Sequence, residues 1–358
     1  MHRRVVLLSA VALALAGALV PAGAAQASAP SGLGPRPVGW SGADSWSEYR
    51  SVLQYWTPQR MLAAQPLGTP PPRRSQSGGP TVGDPWASRN GSVQRSSWST
   101  GGGATTQGAA WSVPGTQAVN NTRLQAVVPN SPGLRWVDGG AVVRTTGRVF
   151  FTTAEGGNAS CSGSAVTSAN ESVVMTAGHC VKQNGAAHRN WVFVPGFDQG
   201  RRPFGTWVAS RLLTTQQWNA NEDINFDVAA AVVAPLQGQT LTDVVGGQGV
   251  AFNQPRGRQM FSFGYPAAAP FDGSRLIYCS GRTFNDTVQT RDQGLRCNMT
   301  GGSSGGPWFQ GFNESTGLGW LNSVNSFKYD FAPQFMFGPF FGNEAMAVYQ
   351  AAQRTNTL

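Results

Sequence analysis

Beyond Leu134 the chain breaks into short β-branched and aromatic runs, each closed off by Gly, Asn or Pro: 147–153, 173–176, 190–194, 226–233, 259–263 and 319–327. Runs of that length at that spacing read as strands of an all-β domain. The turn residues between them are abundant, with 46 Gly and 23 Pro among 358 residues, which argues against a long helical bundle. One stretch, 343–354, reads as a helix. Asn343 stands at its N-cap, Glu344 lies near the positive end of its dipole, and Ala345, Val348, Tyr349 and Ala352 share one face. The length accommodates two domains of about 150 residues or one larger β domain with appendages.

The first 29 residues have the layout of a secretory signal: Arg3 and Arg4, an apolar stretch from Val5 to Val20, then small residues such as Ala25-Gln26-Ala27. The apolar run is short for a membrane span, so the expectation is a secreted, extracellular protein with no membrane attachment after signal removal. From residue 30 to 132 the chain is rich in Pro, Gly, Ser, Thr and Gln, most of it unable to bury a core. One island differs, because Trp46, Tyr49, Leu53 and Trp56 recur at helical spacing. It reads either as a pro-segment helix docked on the folded domain or as a locally helical piece of linker. The expected organisation is thus signal peptide 1–29, pro-segment or linker 30–132, and a folded domain 133–358.

A net charge of +9 suggests nucleic acid until it is divided along the chain. Residues 1–134 carry 10 Arg against 3 acids, whereas 135–358 carry 16 Lys or Arg against 14 acids. The folded part is nearly neutral and lacks the basic run that phosphate capture needs, so no nucleic-acid partner is expected.

Three short stretches carry chemistry. His179 ends the apolar run Val174-Met175-Thr176-Ala177-Gly178 and directly precedes Cys180, a position where a general base could be held rigidly. His188, in a polar stretch, reads as exposed loop. In Thr300-Gly301-Gly302-Ser303-Ser304-Gly305-Gly306-Pro307, glycines flank a hydroxyl, allow tight turns and bring amides close to a substrate. Asp227 opens the apolar run Val228–Val233; a carboxylate buried there needs a partner, and a histidine N–H is suitable. Asp223 is the competing carboxylate. Glu222, Asp223 and Asp227 form an acidic cluster without the alternating ligands and Gly of a calcium loop. The four cysteines, Cys161, Cys180, Cys279 and Cys297, allow three pairings; none lie at metal-ligand spacing, and export favours disulfides. No metal or cofactor is expected.

In that order, Thr176-Ala177-Gly178-His179-Cys180, Asp227-Val228-Ala229 and Gly302-Ser303-Ser304-Gly305-Gly306-Pro307 resemble the trypsin-like serine peptidases of the chymotrypsin fold. Gly264-Tyr265-Pro266 is similar to their bacterial glutamyl-endopeptidase-like branch. The resemblance covers roughly 135–358 and implies two six-stranded antiparallel β-barrels with the site in the cleft between them. It implies His179 as base, Asp227 as its orienting carboxylate, Ser304 as nucleophile, and the N–H groups of Gly302 and Ser304 as the oxyanion hole. Asn298, Thr300, Asn325 and Ser326 would fall at the substrate pocket, Ser326 beside the triad carboxylate. The resemblance pairs Cys161 with Cys180, which leaves Cys279 for Cys297.

Two departures bear on function. Ser303 stands where animal relatives carry an aspartate that pairs with a newly released amino terminus, so the pro-segment is expected to assist folding or cover the cleft instead. Asn298 replaces the acidic pocket floor of a trypsin, and no histidine accompanies Asn325, which leaves the preference for a cleavage site open. The expectation is a monomeric secreted serine endopeptidase acting on protein or peptide substrates, with its own pro-segment as partner. The alternative is a catalytically silent peptidase-like binding module. An esterase with a nucleophile elbow would place its histidine last in the chain, whereas here it comes first.

Overall fold

The computed structural model describes residues 35–68, 70, 108–116 and 130–358, which lie within one compact unit. The proposed signal peptide and most of residues 69–129 fall outside the described residues. Within residues 30–132, the leader, the described part holds strand β1 (Val38–Ser41), then helices α1 (Trp46–Tyr55) and α2 (Pro58–Ala63) and the short strand β2 (Gln65–Pro66). Ser45 caps α1 by accepting the Glu48 N–H. Thr57 caps α2, whose first position is proline, where the missing N–H costs nothing. The expected helical face only partly faces inward: Tyr49 and Trp56 are buried, whereas Trp46 is 47% exposed.

Six strands close the first barrel: β3 (Thr146–Thr152), β4 (Asn158–Val166), β5 (Val173–Thr176), β6 (Arg189–Pro195), β7 (Trp207–Thr214) and β8 (Ala229–Val233). They pair antiparallel in the ring β7-β6-β3-β4-β5-β8, and β8 returns to β7. Strand β4 was not among the expected runs, since Asn-Ala-Ser-Cys-Ser-Gly-Ser reads as loop composition. Its small residues answer a packing demand instead. A Cβ on Gly163 would stand 2.9 Å from Val174 Cγ1 and 3.3 Å from Val149 Cγ2.

The second half contains β9 (Gly249–Phe252), β10 (Gln259–Gly264), β11 (Ile277–Arg282), β12 (Gln293–Arg296), β13 (Pro307–Asn313), β14 (Leu318–Val324) and β15 (Phe335–Gly338). The order β9-β14-β13-β10-β11 makes one sheet, edged by Trp111–Val113 on β9 and Leu134–Arg135 on β11. Strands β12 and β15 pair with each other in a second sheet. Trp136, Phe263, Tyr278 and Phe312 meet edge-on or tilted with ring centroids 5.1–6.1 Å apart, filling the sheet's inner face.

The C-terminal helix, Asn343–Gln353, buries Ala345, Val348, Tyr349 and Ala352, the face that its periodicity predicted. Its capping differs from expectation. Gly342 is the N-cap, and Asn343 Oδ1 accepts a hydrogen bond from Asn253 Nδ2 at 2.9 Å, tying the helix to the end of β9. Cys161 is bonded to Cys180 and Cys279 to Cys297.

Candidate active site

His179 sits in the 3-10 turn Gly178–Cys180, immediately after β5. Side-chain N–H groups hold the carbonyls of this turn and the residues just after it. His188 Nε2 donates to the His179 carbonyl at 3.0 Å, Trp191 Nε1 to that of Cys180 at 3.0 Å, and Trp218 Nε1 to that of Lys182 at 2.9 Å. The Cys161–Cys180 disulfide adds a covalent tie to β4. His188 is therefore not the exposed loop residue that its polar surroundings suggested. It is 5% exposed and stacked on Phe151 with centroids 4.2 Å apart, and burial lowers its pKa to about 4.

Asp227 ends the 3-10 turn Ile224–Phe226, just before β8, and is fully buried. Its carboxylate accepts three hydrogen bonds: from His179 N–H at 2.8 Å, His179 Nδ1 at 2.7 Å and Ser326 Oγ at 2.5 Å. A carboxylate accepts, so Nδ1 carries the proton of this bond and Nε2 is the ring position left for another partner. Asp223, the competing carboxylate, caps the 3-10 turn by accepting from Asn225. Glu222 turns elsewhere, to the Gly185 N–H and to Lys182. The three acids thus serve separate partners.

Ser304 lies in the loop entering β13, and every part of that loop is pinned. Ser303 Oγ donates to the Thr300 carbonyl, Gly306 N–H to that of Ser303, Gly305 N–H to that of Asn325, and Ser162 N–H to that of Ser304. Glycine is required at 305, where φ is +77° and a Cβ would stand 2.0 Å from Thr176 Oγ1 and 2.8 Å from the Ala177 nitrogen. That close approach brings the serine loop against the strand end that carries His179. Ser304 Oγ and His179 Nε2 are both buried and make no hydrogen bond within the protein. Catalytic hydrogen bonds are often long in ligand-free sites and tighten only around substrate.

Gly302, with φ of +92°, points its N–H at the carbonyl of Leu67, 3.1 Å away in the leader. Nothing in the sequence signals that contact. Of the expected pocket residues, Ser326 reaches Asp227, and Thr300 Oγ1 donates to the Ala268 carbonyl. Asn298 is exposed, with its N–H on the Pro132 carbonyl. Asn325 is fully buried and uses all four of its hydrogen-bonding positions internally. Nδ2 donates to the carbonyls of Phe263 and Ser303, and Oδ1 accepts from Ser262 and Trp308, so nothing is left for a substrate. Lys328, two residues after Ser326, spans to the carbonyls of Cys297 and Pro333, and burial lowers its pKa to about 8. Among the described residues one cluster has metal-ligand proximity, Cys161, His179 and Cys180, but both sulfurs are consumed in the disulfide.

No family model and no curated protein matches the chain. Solved structures do. Protease Anisep from Arthrobacter nicotinovorans is 46% identical with a TM-score of 0.57, the match covering 60% of this chain and 98% of that one. This chain belongs to the chymotrypsin-fold serine proteases. The thermostable serine protease AL20 from an extremophilic microorganism gives 45% identity and a TM-score of 0.57 over 60% of this chain and all of that one. A Glu endopeptidase shares the fold at 14% identity and a TM-score of 0.50, covering 64% of this chain. The expected chymotrypsin-like fold with a C-terminal helix is thus present, with one closed six-stranded antiparallel barrel and a second half whose sheet includes the parallel pair β9–β14, and the matches leave over a third of the chain uncovered.

Proposed function

We propose that the protein is a secreted serine endopeptidase made as a pre-pro-protein, with signal peptide 1–29, pro-segment 30–132 and catalytic domain 133–358. Ser304 attacks a peptide carbonyl while His179 Nε2 takes its proton and returns it to the leaving amine. Asp227 holds the tautomer and stabilises the imidazolium, and water then hydrolyses the acyl-enzyme. The N–H groups of Gly302 and Ser304 receive the oxyanion, where one lost donor costs on the order of 100-fold to 1,000-fold in turnover. Peptide and protein chains are the substrates. Neither a metal nor a cofactor takes part in these steps.

The observation that carries this reading is the buried His179–Asp227 pair at 2.7 Å with Ser326 as its third support. A histidine held there by a carboxylate, with Nε2 left unbonded, is arranged for proton transfer. The 46% identity to a protease supports the same conclusion. A fluorophosphonate probe tests it: the processed protein is labelled and cleaves casein, and Ser304→Ala abolishes both. A catalytically silent binding module would instead remain unlabelled, and equal labelling of wild type and Ser304→Ala would remove Ser304 from the mechanism.

A further inference from the structure

The leader enters the site itself. Gln65 and Pro66 run parallel to β4, opposite Ala159 and Ser160. Leu67 then donates its N–H to the Ser160 carbonyl at 3.0 Å, and its own carbonyl accepts the Gly302 N–H at 3.1 Å. A Cβ on Gly301 would stand 3.0 Å from that same carbonyl oxygen, so backbone meets backbone there across a glycine. An N–H engaged by a peptide carbonyl is unavailable to a developing oxyanion.

We infer that the edge of β4 and the Gly302 N–H together form a docking surface for the chain's own Gln65–Leu67 segment, which binds there as an uncleaved ligand and keeps the unprocessed chain inactive. This rests on the reading proposed above. Two features distinguish the segment from a substrate. The Ser304 N–H makes no hydrogen bond to the Leu67 carbonyl, which therefore engages one oxyanion donor and not both. The leader also leaves Ser304 Oγ and His179 Nε2 without a partner, so it engages neither atom that would cut it.

A three-residue contact is weak on its own. Here it is held by anchors that all lie upstream. Strand β1 pairs with β7, Trp56 is 1% exposed with its indole N–H on the Asn190 carbonyl, and Met61 and Ala64 are buried. Such tethering presents the segment at an effective concentration on the order of millimolar or above. Because these anchors lie on the same side of residues 101–103 as the segment they hold, a cut there does not release it; activation requires that residues 38–67 dissociate or be degraded.

The test inserts a recognition sequence for a specific protease between Gly101 and Gly103 of the full chain. Peptide-amide hydrolysis and fluorophosphonate labelling are followed before and after that cut, in wild type and in Leu67→Pro, which deletes the N–H bond to Ser160. The expected result is that cut wild-type chain retains its leader on gel filtration and stays inactive, while Leu67→Pro is about tenfold more active. Full activity of cut chain that still holds its leader, or equal activity of the two chains, overturns the inference. So does scission of the Leu67–Gly68 bond that Ser304→Ala abolishes. Absence of labelling in every sample, after complete removal of the leader, instead sinks the protease reading. Should Leu67→Pro fail to fold, amide exchange in Ser304→Ala decides: protection of the Leu67 N–H supports docking, and exchange at the free-peptide rate refutes it.

Discussion

At the scale of single residues, the site is a problem of holding one imidazole still. Asp227 takes the backbone N–H and the Nδ1–H of the same histidine, so it fixes both the turn and the ring with one side chain. His188 supports it from behind, on the His179 carbonyl. Its cost appears in acid. Burial lowers His188 from an ordinary 6.5 to about 4. Between those values the unfolded chain binds a proton that the folded chain refuses. Its contribution to stability is therefore complete above about pH 6.5 and is lost as the pH falls toward 4, by up to about 3 kcal/mol. His188→Gln keeps an N–H donor but does not titrate. Urea unfolding across that range should show wild type losing more stability than the variant; parallel curves would remove His188 from the acid response.

At the scale of elements, β5, β8 and the serine loop each deliver one residue, and glycines set how closely they approach. A Cβ on Gly178 would stand 2.7 Å from Trp218 Cγ and 2.9 Å from Asp227 Oδ1, with ring carbon and carboxylate both held in place. Gly178→Ala must therefore shift the His179 turn against Asp227. Misplacement of about 1 Å costs roughly 100-fold in rate, so kcat/KM on a peptide amide should fall about that far while the barrel remains folded by circular dichroism. Wild-type kinetics would show that the turn absorbs the methyl group without displacing the histidine. The same crowding explains what patterning missed. Strand β4 is buried along nearly all its length and must pass between neighbours, so it is built from Ser, Gly and Cys, residues whose composition signals loop. Strand β5, Val-Val-Met-Thr, was legible because its side chains, not their absence, fill the barrel.

At the scale of the whole molecule, residues 38–67 of the leader are part of the fold. Trp56 lies against Phe150 with ring centroids 5.6 Å apart and belongs to the main hydrophobic core. Truncating a buried tryptophan to alanine typically costs about 3–5 kcal/mol. Trp56→Ala in a Ser304→Ala background, which prevents self-digestion, should lower the urea midpoint of the intact chain accordingly; an unchanged midpoint would mean that the leader is not docked in solution. A chain reading based on composition separates residues 30–132 from the domain, yet β1 extends the sheet at β7 and Leu67 reaches Gly302.

The sequence alone determined what short-range chemistry demands. A nucleophile loop needs glycines beside its serine, a buried carboxylate needs a donor, and a rigid base needs a strand end, so the His179, Asp227 and Ser304 motifs and their order were readable, and with them the family. Only the tertiary structure decided which groups meet across long stretches of chain. Asn325 became an internal strut, His188 a buried support, and the Leu67 carbonyl the occupant of Gly302. Those outcomes depend on backbone N–H and C=O groups and on shared burial, which every residue offers alike and which therefore leave no mark in the order of side chains.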